Sequence, residues 1–291
     1  MSLYNKASLI QVPSLYKDGL LVSTVPEDRS GDFAVARGAN LSATRIGEDG
    51  YIKKGYENLL LQSNSFDTTW SVANGGGITG GQAGYDGTND AWYLYKNTGT
   101  SSQLVRQVIS STGVQTFSFY AKAAELEWIR FLWIGGSGGR SNFHLVGDGD
   151  TGVLTNTIST SIELVGDGWY KCSTTFNENI SQIQIYPASG SNSVSGSTGG
   201  VYIQDAQLNQ GLVAYPYLET TTAPAQGGLL ENSPRLDWSN GVPSVLVEEG
   251  RTNLMLQSEL SSILDSFQNL TKVNNAALSP EGVQNAMEFI P

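Results

Sequence analysis

Apolar and polar positions alternate through the middle of the chain in runs too short and too closely spaced for helices. Thr116-Phe117-Ser118-Phe119-Tyr120-Ala121-Lys122-Ala123 has period two, and so do Gly168-Trp169-Tyr170-Lys171-Cys172-Ser173-Thr174-Thr175-Phe176, Ser181-Gln182-Ile183-Gln184-Ile185-Tyr186 and Val201-Tyr202-Ile203-Gln204-Asp205-Ala206. Successive side chains of a strand point to opposite faces, so each run predicts a strand with one buried face and one solvated face. Asp86-Gly87, Asp148-Gly149 and Asp167-Gly168 fall between such runs, and these pairs supply the positive φ that tight hairpin turns need. Residues 58–220 therefore predict an all-β sandwich, of a length that suits one jelly roll.

The flanks read differently. Residues 1–57 hold short extended pieces such as Ser8-Leu9-Ile10-Gln11-Val12 and Gly19-Leu20-Leu21-Val22-Ser23, broken by Pro13 and Pro26. They lack a core of their own and are expected to order by lying against symmetry mates or a partner, as an extended anchoring segment. Residues 221–252 carry Ala223-Pro224-Ala225-Gln226-Gly227-Gly228, Pro234 and Pro243 and read as a linker. Beyond it Asn58-Leu59-Leu60-Leu61-Gln62-Ser63 returns as Asn253-Leu254-Met255-Leu256-Gln257-Ser258, and Gly87 and Ala91 return as Gly282 and Ala286. Residues 253–291 are thus expected to begin a second jelly-roll copy that is incomplete at Pro291, which predicts that the natural protein continues.

Charge narrows the partners. Sixteen Lys and Arg stand against 27 Asp and Glu, a formal charge of −11, opposite in sign to the basic stripe that phosphate neutralisation requires. Nucleic acid and anionic membrane surfaces are not expected. The N-terminus has no basic stretch followed by an apolar core, so no secretory signal is read, and the longest apolar runs fall well short of the roughly 20 residues of a membrane helix. One cysteine, Cys172, excludes an intrachain disulfide framework; cytoplasmic assembly is expected.

Catalytic chemistry finds few footholds. A Ser-His-Asp or Cys-His arrangement needs an imidazole, and His144 is the only one; it reads as a partly exposed strand or turn residue, and one Cys with one His does not make a zinc site. Cys172 lies within an alternating run and reads as an inert buried thiol. Gly75, Gly77 and Gly80 have dinucleotide-fingerprint spacing without its strand and helix context, and read as a flexible loop. Asp148, Asp150, Glu125, Glu127 and Glu163 leave a glycoside hydrolase open, because sequence does not measure carboxylate separations. Aromatic side chains are the better lead, since sugar rings present apolar faces to flat rings. Trp70, Trp92, Tyr93, Tyr95, Trp128 and Trp133 are available, and Trp70, Trp92, Tyr93, Tyr95 and Trp133 are the candidate glycan-binding residues; the alternative is that such rings, Trp128, Trp169 and Phe119 among them, fill the sandwich core.

A resemblance rests on these residues. Asn58-Leu59-Leu60-Leu61-Gln62-Ser63-Asn64-Ser65-Phe66, Trp70, Phe119-Tyr120-Ala121-Lys122-Ala123, Gly166-Asp167-Gly168-Trp169-Tyr170-Lys171-Cys172 and Ile203-Gln204-Asp205-Ala206-Gln207-Leu208 together resemble the jelly-roll, carbohydrate-binding-module-like domains of tailed-bacteriophage virion proteins. The resemblance implies a structural protein rather than an enzyme: a tail or head fibre, often a homotrimer, assembled in the host cytoplasm. Residues 1–57 would dock it on tail or capsid proteins while its modules project for adhesion to host-surface glycans. It also implies a structural calcium ion near the last strand, where Asp205 matches the acidic position. Alternatives are a receptor-binding lectin and a polysaccharide depolymerase.

Overall fold

A computed structural model describes residues 3–17, 19–37, 43–97, 102–229, 232–247, 271–280, 282 and 284–290. No α-helix occurs among them. The chain divides into two compact units, one formed by Glu57–Ala225 and the other from described residues within 1–56, 226–247 and 271–290.

The unit from Glu57 to Ala225 is a two-sheet sandwich of twelve strands: β1 Ser71–Ala73, β2 Gly77–Gln82, β3 Ala91–Lys96, β4 Leu104–Ser111, β5 Val114–Ala123, β6 Trp128–Ile134, β7 Gly139–His144, β8 Asp150–Thr151, β9 Ser159–Gly166, β10 Trp169–Asn177, β11 Ile180–Ala188 and β12 Gly199–Gln210. Sheet one has the order β8-β7-β6-β11-β4-β1 and sheet two the order β9-β10-β5-β12-β3-β2. The described pairings within both are antiparallel. The chain repeatedly crosses between sheets, as from β4 to β5, β5 to β6 and β11 to β12, which is the double-sheet path of an all-β sandwich.

Alternation decides what fills the interior. Ile129, Phe131 and Trp133 of β6 and Phe143 of β7 meet Phe117 and Phe119 of β5 and Phe176 of β10, all at most 1% exposed. Phe117 stacks on Phe131 at 4.1 Å and Trp133 on Phe176 at 4.3 Å, each pair joining the two sheets. Burying one such ring contributes roughly 1.5–3 kcal/mol, so this aromatic layer holds the sandwich closed. Cys172, opposite Phe119, is fully buried and its thiol is pushed well above its usual range by desolvation.

Of the glycine-rich segment expected as a loop, Asn74, Gly75 and Gly76 form the turn between β1 and β2, while Gly77 to Gly80 belong to strand β2. Its glycines make room for rings on the neighbouring strand: a Cβ at Gly77 would stand 2.1 Å from the Tyr95 ring, and one at Gly80 would stand 3.2 Å from Trp92.

In the other unit, Ile10–Lys17, Leu20–Val25 and Phe33–Ala34 form a three-stranded sheet with Leu21 fully buried. Thr44–Ile46 pairs with Ile52–Lys54, Arg235–Asp237 with Ser244–Leu246, and Thr271–Leu278 with Gln284–Ile290. Residues 235–246, expected within a linker, tie back to the N-terminal region, because the Asp237 carboxylate accepts from the Ile46 amide at 2.8 Å and Trp238 N–H donates to Ile46 O at 3.1 Å. The expected repeat at 253–258 lies outside the described residues.

Candidate functional site

β6 reads Trp128-Ile129-Arg130-Phe131-Leu132-Trp133-Ile134. Since Ile129, Phe131 and Trp133 point into the core, the strand's pleat sends Trp128, Arg130, Leu132 and Ile134 to the outer face of sheet one. Register then assembles a patch. On β7, His144 lies opposite Trp128, Asn142 opposite Arg130 and Arg140 opposite Leu132. On β11, Tyr186 lies opposite Arg130, Gln184 opposite Leu132 and Gln182 opposite Ile134. Arg106 of β4 stands across from Gln184.

The polar members of this patch are shielded although they lie on an outer face. Arg130 is 6% exposed, Asn142 0%, Gln184 7% and Tyr186 8%. The segment after β8 walls one side: Asn142 Nδ2 donates to Val153 O at 2.6 Å, Arg140 and Thr155 exchange backbone hydrogen bonds, and Val153 N–H donates to Ser191 O at 3.1 Å. The Trp128 ring stacks on His144 at 4.4 Å with 16° between planes. Glu127 Oε2 lies 3.5 Å from His144 Nε2.

Hydrogen bonding is organised but incomplete. Arg130 Nε donates to Asn142 Oδ1 at 2.8 Å, Tyr186 O–H donates to Gln184 Oε1, and Gln184 Nε2 donates to Gln182 Oε1. Nη2 of Arg130 and Nε of Arg140 are buried with no hydrogen-bond partner. Desolvation holds the Arg130 pKa below the usual guanidinium range, and the charge of Arg140 adds to that effect against the opposing influence of Tyr186. Strands β1, β4, β6, β7 and β11 contain no Asp or Glu. In a chain of charge −11, this sheet presents Arg106, Arg130 and Arg140.

The aromatic residues singled out by sequence are scattered. Trp70 and Trp133 are 3% and 1% exposed and belong to the core, so neither offers a ring face to a sugar. Trp92 packs against that core and donates its indole N–H to Asn64 O at 2.8 Å. Tyr93 and Tyr95 do come together, stacked at 5.2 Å on the outer face of sheet two, with Tyr202 tilted against Tyr93 at 5.4 Å. The Tyr93 hydroxyl is engaged by Glu125. From sequence, Trp128 was open between an aromatic available to a sugar and a core residue, and His144 read as a partly exposed strand or turn residue. The signal that finds them is parity: Trp128 lies out of phase with Ile129, Phe131 and Trp133.

Asp205 sits in a bulge of β12 at φ +55° and accepts from the Tyr85 hydroxyl at 2.8 Å. Tyr85 stacks on Tyr120 at 3.7 Å. Burial raises the Asp205 pKa to about 7, opposed by the Tyr85 bond and reinforced by Asp90, Asp86 and Glu219. Among the described residues no group of three or more His, Cys, Asp or Glu side chains is placed to hold a metal ion.

No family model matches the chain, and no curated protein matches it. Among solved structures, the enzymatically active domain of tailspike protein 4 of bacteriophage CBA120 aligns over 52% of this chain at 14% identity and TM-score 0.32. The CBM22-1–GH10 modules of Clostridium thermocellum endo-1,4-β-D-xylanase 10B, complexed with xylohexaose, align over 52% at 10% identity and TM-score 0.30. A CBM4 structure aligns over 59% at 12% identity and TM-score 0.27. The alignment spans 21% of the tailspike chain, 27% of the xylanase chain and 97% of the CBM4 chain. Likeness at this level carries no argument about function.

Proposed function

We propose that residues 57–225 are a glycan-binding module within an adhesive structural protein of a tailed-phage virion. The observation that carries the binding part is the outer face of sheet one, where the Trp128–His144 ring pair adjoins Arg130, Asn142, Gln184 and Tyr186, polar groups shielded from water with donors still unmet. A sugar ring laid on the indole gives its C–H face to an apolar surface, and its hydroxyls meet preset donors and acceptors whose side-chain entropy is already spent.

Binding, not hydrolysis, is the role proposed for this face. Glycoside hydrolysis uses two carboxyl groups across the scissile bond; the five strands from β7 to β1 in sheet one supply none, and the acids at its Trp128 end are Glu127 beside His144 and Asp150 opposite it. The virion role rests on the sequence resemblance: residues 1–57 dock on tail or capsid proteins, and the chain acts as a homotrimer.

Trp128→Ala tests the binding role. Trp128 is only partly buried, so the variant is expected to keep its fold by circular dichroism and to lose at least tenfold in affinity for any glycan retained on an array, as removal of a central aromatic anchor does. Unchanged glycan binding by a folded Trp128→Ala protein would remove the assignment.

A further inference from the structure

The unmet groups on this face have a definite chemistry. Two guanidinium groups, on Arg130 and Arg140, lie one pleat apart on adjacent strands, since Arg130 opposes Asn142 and Leu132 opposes Arg140. One is 6% exposed and directs an unpartnered Nη2 into the shielded patch, and the other leaves its Nε unpartnered. Neither arginine takes part in the ion pairs Arg29–Asp32 and Lys53–Asp49 or in the His144–Glu127 contact. A buried cation without a counter-charge is costly. Arg130 is such a cation and the half-buried Arg140 adds a second positive charge beside it. The strands from β7 to β1 hold no acid, the carboxylates of Glu127 and Asp150 lying at the His144 end, so the two guanidinium groups form a site that an anion completes.

Trp128 fixes where that anion sits on its carrier. It precedes Arg130 by two residues on the same face, about 7 Å along the strand. A ring stacked on Trp128 thus carries its substituents towards the Arg130 fork. We infer that the outer face of sheet one selects carboxylate-bearing sugars, with the carboxylate of an acidic glycan held by Arg130 and Arg140 while the ring or its neighbour rests on Trp128. This rests on the proposed function and adds its substrate class. A planar carboxylate matches the guanidinium fork in two parallel hydrogen bonds, and Asn142, which already holds Arg130 Nε, positions the fork.

The test measures affinity of the full chain for polygalacturonate, alginate, hyaluronate and polysialate, each beside its carboxyl-reduced counterpart, with xylan and dextran as neutral polymers and dextran sulfate as a non-carboxylate anion. At least one acidic polymer is expected to bind tenfold or more tightly than its reduced form and than dextran sulfate, weakening as salt rises. Arg140→Gln, at the less buried position, is expected to abolish that preference while leaving the fold intact. Arg130→Lys, which keeps the charge and loses the fork, is expected to weaken acid binding at least tenfold. Equal binding of acidic and reduced polymers, equal or tighter binding of dextran sulfate, or acid binding indifferent to both substitutions would overturn the inference. Trp128-dependent binding confined to neutral polymers would sink the carboxylate assignment and leave the glycan-binding role standing. No retention of any polymer would remove both.

Discussion

Two buried charges show how much single residues decide in this protein. Arg130 is tolerated on the outer face because Asn142 satisfies one edge of its guanidinium. Asp205 is tolerated in sheet two because the Tyr85 hydroxyl donates to it. The aspartate carries a pH prediction. Its folded pKa is raised from 3.8 to about 7, so between those values the folded state binds a proton that the unfolded state has released. Stability from this group is full at acid pH and falls as pH rises through that window, with no further change above it. Asp205→Asn keeps a side chain that tolerates positive φ and removes the titration. The melting temperature of the wild type is expected to fall more than that of the variant between pH 4.5 and pH 8, and the variant to be the more stable protein at pH 8. Parallel pH profiles would contradict this assignment of the carboxylate. Nothing in the residue types announced it: Asp205 stood out in sequence as an expected calcium ligand, and the upward shift comes from burial, reinforced by Asp90 and Asp86 against the Tyr85 bond, which only the packing reveals.

At the scale of elements, the alternating runs were legible and their interruptions were not. The run from Thr116 to Ala123 is strand β5, and Ser181 to Tyr186 lies inside β11. Val201 to Ala206 breaks its own period. Val201 and Ile203 point inward, then Ala206 and Leu208 do, because Asp205 and Ala206 together face Phe119 across the pairing. An extra residue flips every later side chain to the other face, and alternation alone places Asp205 on the wrong one. The segment at Asn58 explains part of what the repeated Asn-Leu-Leu-Leu-Gln-Ser motif does in its first copy. The Asn58 amide donates to Ala206 O at 3.2 Å and Leu218 O at 2.9 Å, while its oxygen accepts from the amides of Leu60 and Leu208, both at 3.2 Å. It clamps the entering chain to β12. Asn58→Ala leaves these buried backbone groups without partners, each costing about 1–3 kcal/mol. With partial relaxation, denaturant unfolding is expected to show a loss of about 3 kcal/mol at unchanged m-value; a loss below about 1 kcal/mol would show the clamp to be incidental.

The whole molecule sets two faces of one sandwich against each other. The outer face of sheet two carries the Tyr93, Tyr95 and Tyr202 cluster, part of which was visible in sequence because tyrosines at alternate positions of one strand must share a side. The outer face of sheet one was hidden, because its members come from residues 106 to 186 on four strands and meet only through register. The charge told in the opposite direction: a total of −11 argued against anionic partners, while the fold gathers arginines on a sheet with almost no acids. Which face holds sugar is therefore the central question. The most direct measurement is a crystal structure of the protein soaked with the oligosaccharide it retains most tightly. A sugar ring over Trp128, with polar contacts to Arg130 and Gln184, is the predicted result; a sugar seated instead on Tyr93, Tyr95 and Tyr202 would contradict the account.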